Sequence, residues 1–76
     1  MYRFLVIIEK GDTGYGAYAP DLQGCVAVRD TREESEREMR AAIRLRLQGM
    51  IEVHEPIPSG DSLAEYIEVS LPDQVA

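Results

Sequence analysis

The chain opens with three stretches whose residues favour β-strands, separated by polar turn residues. The first stretch, residues 2–9 (YRFLVIIE), is apolar at both odd and even positions, which is typical of a strand inside its sheet. The second and third are residues 15–19 (YGAYA) and 25–29 (CVAVR). A glycine-rich turn at 10–14 (KGDTG) and the link 20–24 (PDLQG) join them. The pattern predicts three consecutive antiparallel strands.

After the third strand the apolar period lengthens from two to about 3.6 residues, as in an amphipathic helix. Thr31 and Glu34 have the spacing of a capping box, so we expect the helix to begin at Arg32. Arg46 falls within the core sector, so the helix either bends away there or lets this side chain reach solvent. The helix should fade around residues 49–52. The predicted core stripe consists of Ser35, Met39, Ala42, Ile43 and Met50.

A second alternating stretch follows the proline-containing loop at 55–62. In residues 65–71 (EYIEVSL), Ile67, Val69 and Leu71 lie on one face, which predicts a half-buried fourth strand. We therefore predict an α+β fold with the element order β-β-β-α-β. Its two layers are a mainly antiparallel four-stranded sheet of order 3-2-1-4 and one helix on one face.

This topology places the first strand between the second and the fourth, because the first is apolar on both faces. A right-handed crossover makes the fourth strand parallel to the first. The sheet face opposite the helix must then be covered by a second subunit or be polar enough to remain in water. Residues 1–76 form one domain whose small core leaves little spare stability, so we expect a homodimer or tetramer.

The net charge of −6 is concentrated near the end of the sequence, where residues 51–76 hold six acidic residues and no lysine or arginine. A negative field repels nucleic acid, so we expect no direct DNA or RNA binding. The same field attracts a basic protein, although acidic surfaces also simply keep small domains soluble. The single Cys25 and the lack of a signal or membrane-spanning run favour a cytoplasmic location without membrane contact.

Catalytic and cofactor signatures are missing from the sequence. His54 is the only histidine, and its place near a helix end is more typical of a structural role. Metal-ligand spacings and phosphate-binding glycine loops do not occur, so we predict no enzyme, metal or cofactor. Tyr15 and Tyr18 suit a protein interface, but they could equally cover the core of the sheet.

The stretch GYGAYAPDLQGCVAVRDTREES resembles the signature of the HicB-like antitoxin family. The positions that match in register are Gly14, Tyr15, Ala17, Pro20, Asp21, Leu22, Gly24, Cys25, Asp30, Thr31 and Glu34. The resemblance continues more weakly to the last predicted strand. It implies a partial RNase H-like fold and binding to a small basic toxin that cleaves mRNA, by covering the active surface of that toxin.

The sequence departs from the family pattern at Gln23, Arg29 and Ser35, where the family has proline, glycine and alanine. If the family glycine has a positive φ, Arg29 must change the backbone or be strained. Many family members carry a C-terminal DNA-binding domain, which we do not expect here because the sequence stops soon after the fourth predicted strand. The residues that shape the link or contact a partner are predicted to be Tyr15, Tyr18, Pro20, Asp21, Leu22, Gly24 and Cys25.

Three hypotheses follow from the sequence. The first is a non-enzymatic antitoxin domain that binds a small basic toxin. The second is an oligomeric scaffold domain without a toxin. The third, a remnant nuclease, needs clustered carboxylates to hold a divalent metal, whereas Asp21 and Asp30 lie at opposite ends of the third strand.

Overall fold

Three antiparallel strands and one long helix make up the folded body of the protein. The computed structural model describes residues 1–73. The strands are β1 (Ile7–Lys10), β2 (Tyr15–Tyr18) and β3 (Val26–Arg29), and the helix α1 is Arg32–Glu52. The predicted α+β class is thereby confirmed, as is the order of three strands followed by one helix. The first strand is shorter than predicted, because only Ile7–Lys10 pair with β2.

The sheet has the order β1-β2-β3, with β2 in the centre. Its register places Ile8, Ala17 and Ala27 side by side in one row. Ala17 and Ala27 are buried there, so this row faces α1. These small side chains allow the helix to lie close to the sheet. The other residues of the core are Ala19, Leu22, Cys25, Met39, Leu47 and Met50, with Phe4, Val6, Ile8, Ile43 and Ile57 packed around them.

The beginning of α1 agrees with the capping pattern in the sequence. The helix begins at Arg32, and the backbone N–H of Glu34 donates a hydrogen bond to the Thr31 hydroxyl (3.1 Å). One turn later Ser35 is fully buried and donates its hydroxyl hydrogen to the carbonyl oxygen of Tyr15 (2.7 Å). This bond ties the helix to β2. It also explains how a serine is accommodated where the family pattern has alanine.

The end of α1 explains the structural role of His54, the only histidine in the sequence. His54 has a positive φ of 59°, and its N–H donates to the carbonyl oxygen of Ile51 (3.1 Å). The N–H of Glu55 donates to the carbonyl oxygen of Met50 (2.8 Å). These two bonds form a Schellman motif, which satisfies carbonyl groups of the last helical turn. Arg46 is exposed and lies 3.9 Å from the Glu55 carboxylate, so it reaches solvent instead of entering the core.

Arg29 ends β3 without backbone strain. Among the described residues other than glycine, His54 alone has a positive φ. The guanidinium group of Arg29 pairs with the Glu38 carboxylate on α1, and Nη2 donates to Oε1 at 2.9 Å. Backbone strain was expected at Arg29 if this position needed the left-handed conformation of a glycine. That strain is not found. The arginine instead links β3 to the helix.

The predicted fourth strand is not seen. Residues 65–71 form no strand, and the exposed fractions of Ile67, Val69 and Leu71 are 72%, 73% and 76%. The order 3-2-1-4 is therefore wrong for the described chain, and β1 lies at an edge instead of inside the sheet. The alternation of apolar and polar residues predicted a strand here, but a strand also needs a neighbouring strand for its backbone hydrogen bonds.

Candidate protein-binding site

The sheet face opposite α1 is an exposed apolar surface. Since side chains alternate along a strand, the register puts Ile7, Tyr18 and Val26 in one row on this face, with Val28 in the next. Val26 is 66% exposed and Val28 is 75% exposed. Tyr18 is 40% exposed and Ile7 is partly buried. We call these four residues the outer face. Several neighbouring apolar side chains in contact with water are a common mark of a binding surface.

Acidic side chains border the outer face at one end. Glu9 is paired with Gly16, which is paired with Val28, so Glu9 follows Ile7 on this face. Asp30 follows β3 two residues after Val28, and both carboxylates are exposed. The outer face therefore combines apolar contact area with a negative border. This combination suits a partner that has apolar side chains surrounded by lysine or arginine.

Tyr15 and Tyr18 lie on opposite sides of the sheet. Tyr15 is in the same row as Lys10 and Arg29, and the pairing of Arg29 with Glu38 of α1 shows that this row faces the helix. Tyr18 belongs to the outer face. The sequence left open whether Tyr15 and Tyr18 suit an interface or cover the core of the sheet. The structure gives a different answer for each of the two tyrosines. Tyr18 is available to a partner at the outer face, whereas the backbone of Tyr15 is engaged by the helix through Ser35.

Asp21 anchors a distant part of the chain. Its carboxylate accepts hydrogen bonds from the backbone N–H of Ser62 (2.9 Å) and from the Ser62 hydroxyl (2.7 Å). The side-chain bond from Ser62, followed by the backbone bond, holds the pKa of Asp21 below its usual value. Both carboxylate oxygens are thus occupied by an intramolecular contact. Asp21 has a structural role in this arrangement.

The remaining residues of the link fall into buried and exposed groups. Leu22 and Cys25 are in the core, with exposed fractions of 2% and 4%. Burial raises the pKa of the Cys25 thiol, and the nearby charge of Arg46 opposes that change. Gly24 has φ = +87°, a conformation that side-chain-bearing residues rarely adopt, and Pro20 is exposed. The link therefore presents little chemistry of its own to solvent.

Three residues that contribute to this region were not identified from the sequence. Val26 and Val28 could have been found, because in CVAVR they alternate with the residues that enter the core. Ser62 could not have been found, because 41 positions separate it from Asp21 and nothing in its neighbourhood indicates pairing. The residues predicted as one site are in fact divided between the core, the link and the outer face, and Tyr15 lies apart from these on the helix side of the sheet.

The described residues show no arrangement typical of a metal centre. Within residues 1–73, no group of three or more histidine, cysteine, aspartate or glutamate side chains is placed to hold a metal ion. The clustered carboxylates that the remnant-nuclease hypothesis needs are therefore not found in that range. Nor does the same part of the chain contain a helix with the length and apolar character needed to cross a bilayer.

Comparisons with known proteins identify relatives along nearly the whole sequence. A family model described as the HicB-like antitoxin of bacterial toxin–antitoxin systems matches residues 4–74. A protein of Synechocystis sp. named as a UPF0150 protein is 34% identical over 70 residues, which cover 91% of this chain and 89% of the relative. A UPF0150 protein of Helicobacter pylori is 44% identical over 41 residues, covering 54% of this chain and 57% of the relative.

A phage protein shows the same similarity within a longer chain. An uncharacterised 14.9 kDa protein of Haemophilus phage HP1 is 34% identical over 62 residues. The matched part covers 82% of this chain and 47% of the phage protein, so the chain spans about half the length of that relative. No solved structure matches the chain significantly.

Proposed function

The chain belongs to the family of HicB-like antitoxins of bacterial toxin–antitoxin systems, and we propose that it neutralises a small basic RNA-cleaving toxin by covering the active surface of that toxin. The match of the family model to residues 4–74 carries this proposal. The protein would act by binding, without a reaction or cofactor of its own. It would act in the cytoplasm, since the mRNA that such toxins cleave is found there. The single-domain organisation remains a prediction.

The charge distribution supports a basic partner. The described residues from 51 to 73 carry six carboxylates and no lysine or arginine, and the outer face has Glu9 and Asp30 at its border. Such a field accelerates the encounter with a cationic protein and weakens as salt screens it. The same field disfavours direct contact with nucleic acid, whose backbone is negative.

We assign the toxin contact to the outer face. Val26 and Val28 are exposed on β3, and burying them would remove apolar surface from water. Tyr18 adds an aromatic side chain next to Val26, and aromatic residues are common at the centres of interfaces. Asp21, Leu22, Gly24 and Cys25 would then support this face by fixing the link, instead of touching the toxin.

The first test is a pull-down of the tagged protein from its own cells at low and at high salt, with mass spectrometry of the eluted proteins. We expect a small basic protein that elutes as salt is raised, and we expect the purified pair to associate more slowly at high salt. Recovery of the protein alone, as an oligomer, would favour the scaffold hypothesis. Metal-dependent RNA cleavage by the purified chain would contradict the non-enzymatic role.

A pair of variants tests the assigned surface. Val26→Asp places a charge on the outer face, and we expect the dissociation constant for the recovered toxin to rise by at least about tenfold. Val53→Asp introduces the same charge at a 69% exposed valine beyond the end of α1, and it should leave the affinity unchanged. Equal affinities for the two variants would show that the toxin binds elsewhere.

A further inference from the structure

The free edge of β1 is a site for another strand. β1 pairs with β2 on one side, and within the described residues no strand pairs with its other side. Residues 4–6, which lead into β1, are partly buried and line a cavity with residues 60–64 of the same chain, so the open edge is that of β1 itself. Such an edge presents unpaired N–H and C=O groups, and proteins usually cover it or blunt it with charges or proline.

An apolar groove runs beside this edge. Phe4, Val6 and Ile8 form one wall, and Met39, Ile43 and Leu47 of α1 form the other. The groove has a volume of about 410 Å³ and is open to solvent. Its place beside the β1 edge, on the helix side of the sheet, is where inward side chains of an added strand would lie.

Residues 63–71, which we call the tail, have the complementary pattern. Ile67, Val69 and Leu71 alternate with Glu68 and Ser70, so one face of an extended tail is apolar and the other polar. All of these residues are exposed, although Ile67, Val69 and Leu71 lie on one face. The tail thus has the composition of a half-buried strand but no burial.

Charge also favours contact between the tail and the groove. Arg3, Glu36 and Arg40 line the groove, and Glu36 pairs with Arg40 (3.4 Å), so Arg3 is the cation that can meet the acidic Glu65 or Glu68 of the tail. Opposite charges at the border of an apolar contact guide its alignment. The groove and the tail therefore match in apolar pattern, in backbone hydrogen-bonding capacity and in charge.

The tail does not fill the groove of its own chain. Ser62 is held by Asp21, and Gly60 lies so close to the carbonyl oxygen of Arg3 that a Cβ atom there would clash with it. Beyond this anchored point, Leu63 and Ala64 line a cavity with residues 3–6 of the same chain, and residues 65–71 are exposed. Nine extended residues reach roughly 30 Å, which is enough to lie along a strand of another molecule. Pro56 and Pro58 stiffen the loop that leads to the anchor.

We propose that the tail of one copy adds as a strand to the free β1 edge of a second copy, with Ile67, Val69 and Leu71 filling its groove. Because each chain has both the groove and the tail, two copies can exchange tails reciprocally and close a symmetric dimer. The exchange covers the open β1 edge of each copy and leaves the outer face available. It therefore stands independently of the proposed toxin binding.

Light scattering of the full chain across a dilution series tests this exchange. We expect twice the mass of one chain at micromolar concentration. Val69→Asp should raise the dimer dissociation constant by at least about 100-fold, because it places a charge in the groove. Ser70→Asp adds the same charge on the opposite face of the tail and should leave the dimer intact. A monomeric parent chain, or a dimer equally tolerant of both substitutions, would overturn the proposal.

A second measurement separates exchange from other contacts. Val26→Asp should preserve the dimer, and loss of the dimer in that variant alone would show that the outer faces pair instead. Ile43→Asp, which blocks the groove, should be monomeric like Val69→Asp, with folding verified by circular dichroism. Tyr2→Asp, at an exposed position of the same groove, replaces it if folding fails.

Mixing the groove variant with Val69→Asp should restore dimers, since an intact tail then meets an intact groove. Mixtures that remain monomeric would show that each tail docks on its own chain, or not at all, and would overturn the exchange. The toxin pull-down is unaffected by this outcome, so failure of one proposal can be distinguished from failure of the other.

Discussion

The third strand and the tail have similar sequence patterns but different structures. In both CVAVR and EYIEVSL, residues two positions apart are apolar, Cys25 and Ala27 in the first and Ile67 and Val69 in the second. The strand buries Cys25 and Ala27 to exposed fractions of 4%, whereas Ile67 and Val69 of the tail are more than 70% exposed. Both segments therefore contain residues that prefer an extended backbone, but only the third strand buries one of its faces.

The difference lies in how each segment meets a neighbouring strand. β3 follows β2 after a short link, so little chain entropy is lost when the two pair. The tail is separated from β1 by β2, β3, α1 and a loop, and Ser62, just before the tail, is held by Asp21. Alternation predicts which face of a segment prefers burial. The covalent path decides which strand edge it can reach, in its own chain or in another.

The largest expected difference between the two regions concerns side-chain truncation. Met39→Ala removes a side chain that is 1% exposed, and we expect a loss of about 2–4 kcal/mol in the free energy of unfolding. Ile67→Ala in the tail should change it by less than about 0.5 kcal/mol when the chain is dilute enough to be monomeric. Urea denaturation followed by circular dichroism measures both. A comparable loss for Ile67→Ala in the monomer would show that the tail packs on its own chain.

Local signals in the sequence were sufficient for the body of the fold. The capping residues Thr31 and Glu34 indicated the start of α1, and the helix does begin at Arg32. The glycine-rich turn indicated the first hairpin, whose N–H of Gly11 donates to the carbonyl oxygen of Gly14 (2.7 Å). These features depend on neighbours within a few residues, which is why the pattern identifies them.

Features that depend on distant residues could not be predicted in the same way. The Asp21–Ser62 contact joins two loops, and the Arg29–Glu38 pair joins a strand end to the helix. Hydrogen bonding and charge alone allow many such partners. The resemblance to the antitoxin family anticipated the importance of the link containing Asp21. It did not reveal that this residue anchors the later part of the chain.

A smaller difference in stability is expected when a serine in each of the two regions is replaced by alanine. Ser35→Ala removes the hydrogen bond to the Tyr15 carbonyl oxygen at a fully buried position, and we expect a loss of about 1 kcal/mol. Ser70→Ala in the exposed tail should have no measurable effect on unfolding of the dilute chain. Thermal denaturation of the two variants makes the comparison. Equal stabilities would show that the bond between α1 and β2 contributes nothing net.

The smallest expected effect lies at the boundary between the body and the tail. Asp21→Asn removes the charge that accepts both hydrogen bonds from Ser62, so amide hydrogen exchange around residues 60–62 should accelerate while α1 is unaffected. Asp61→Asn removes a neighbouring exposed carboxylate and serves as the control. Acceleration in the control alone would contradict the assigned anchor.

The pH dependence of the same exchange gives a second readout of the anchor. The two hydrogen bonds from Ser62 lower the pKa of Asp21 from its usual value of 3.8, so the folded state favours the ionised carboxylate. The contribution of the anchor is therefore fully present above about pH 4 and is lost as pH falls through the lowered pKa. After correction for intrinsic exchange rates, protection at 60–62 should weaken in acid in the parent chain. In Asp21→Asn it should already be weak and show no such step, because the amide does not titrate. A step of the same size in both chains would show that another carboxylate causes the acid sensitivity. Asp21 would then not be the charged group that anchors the start of the tail.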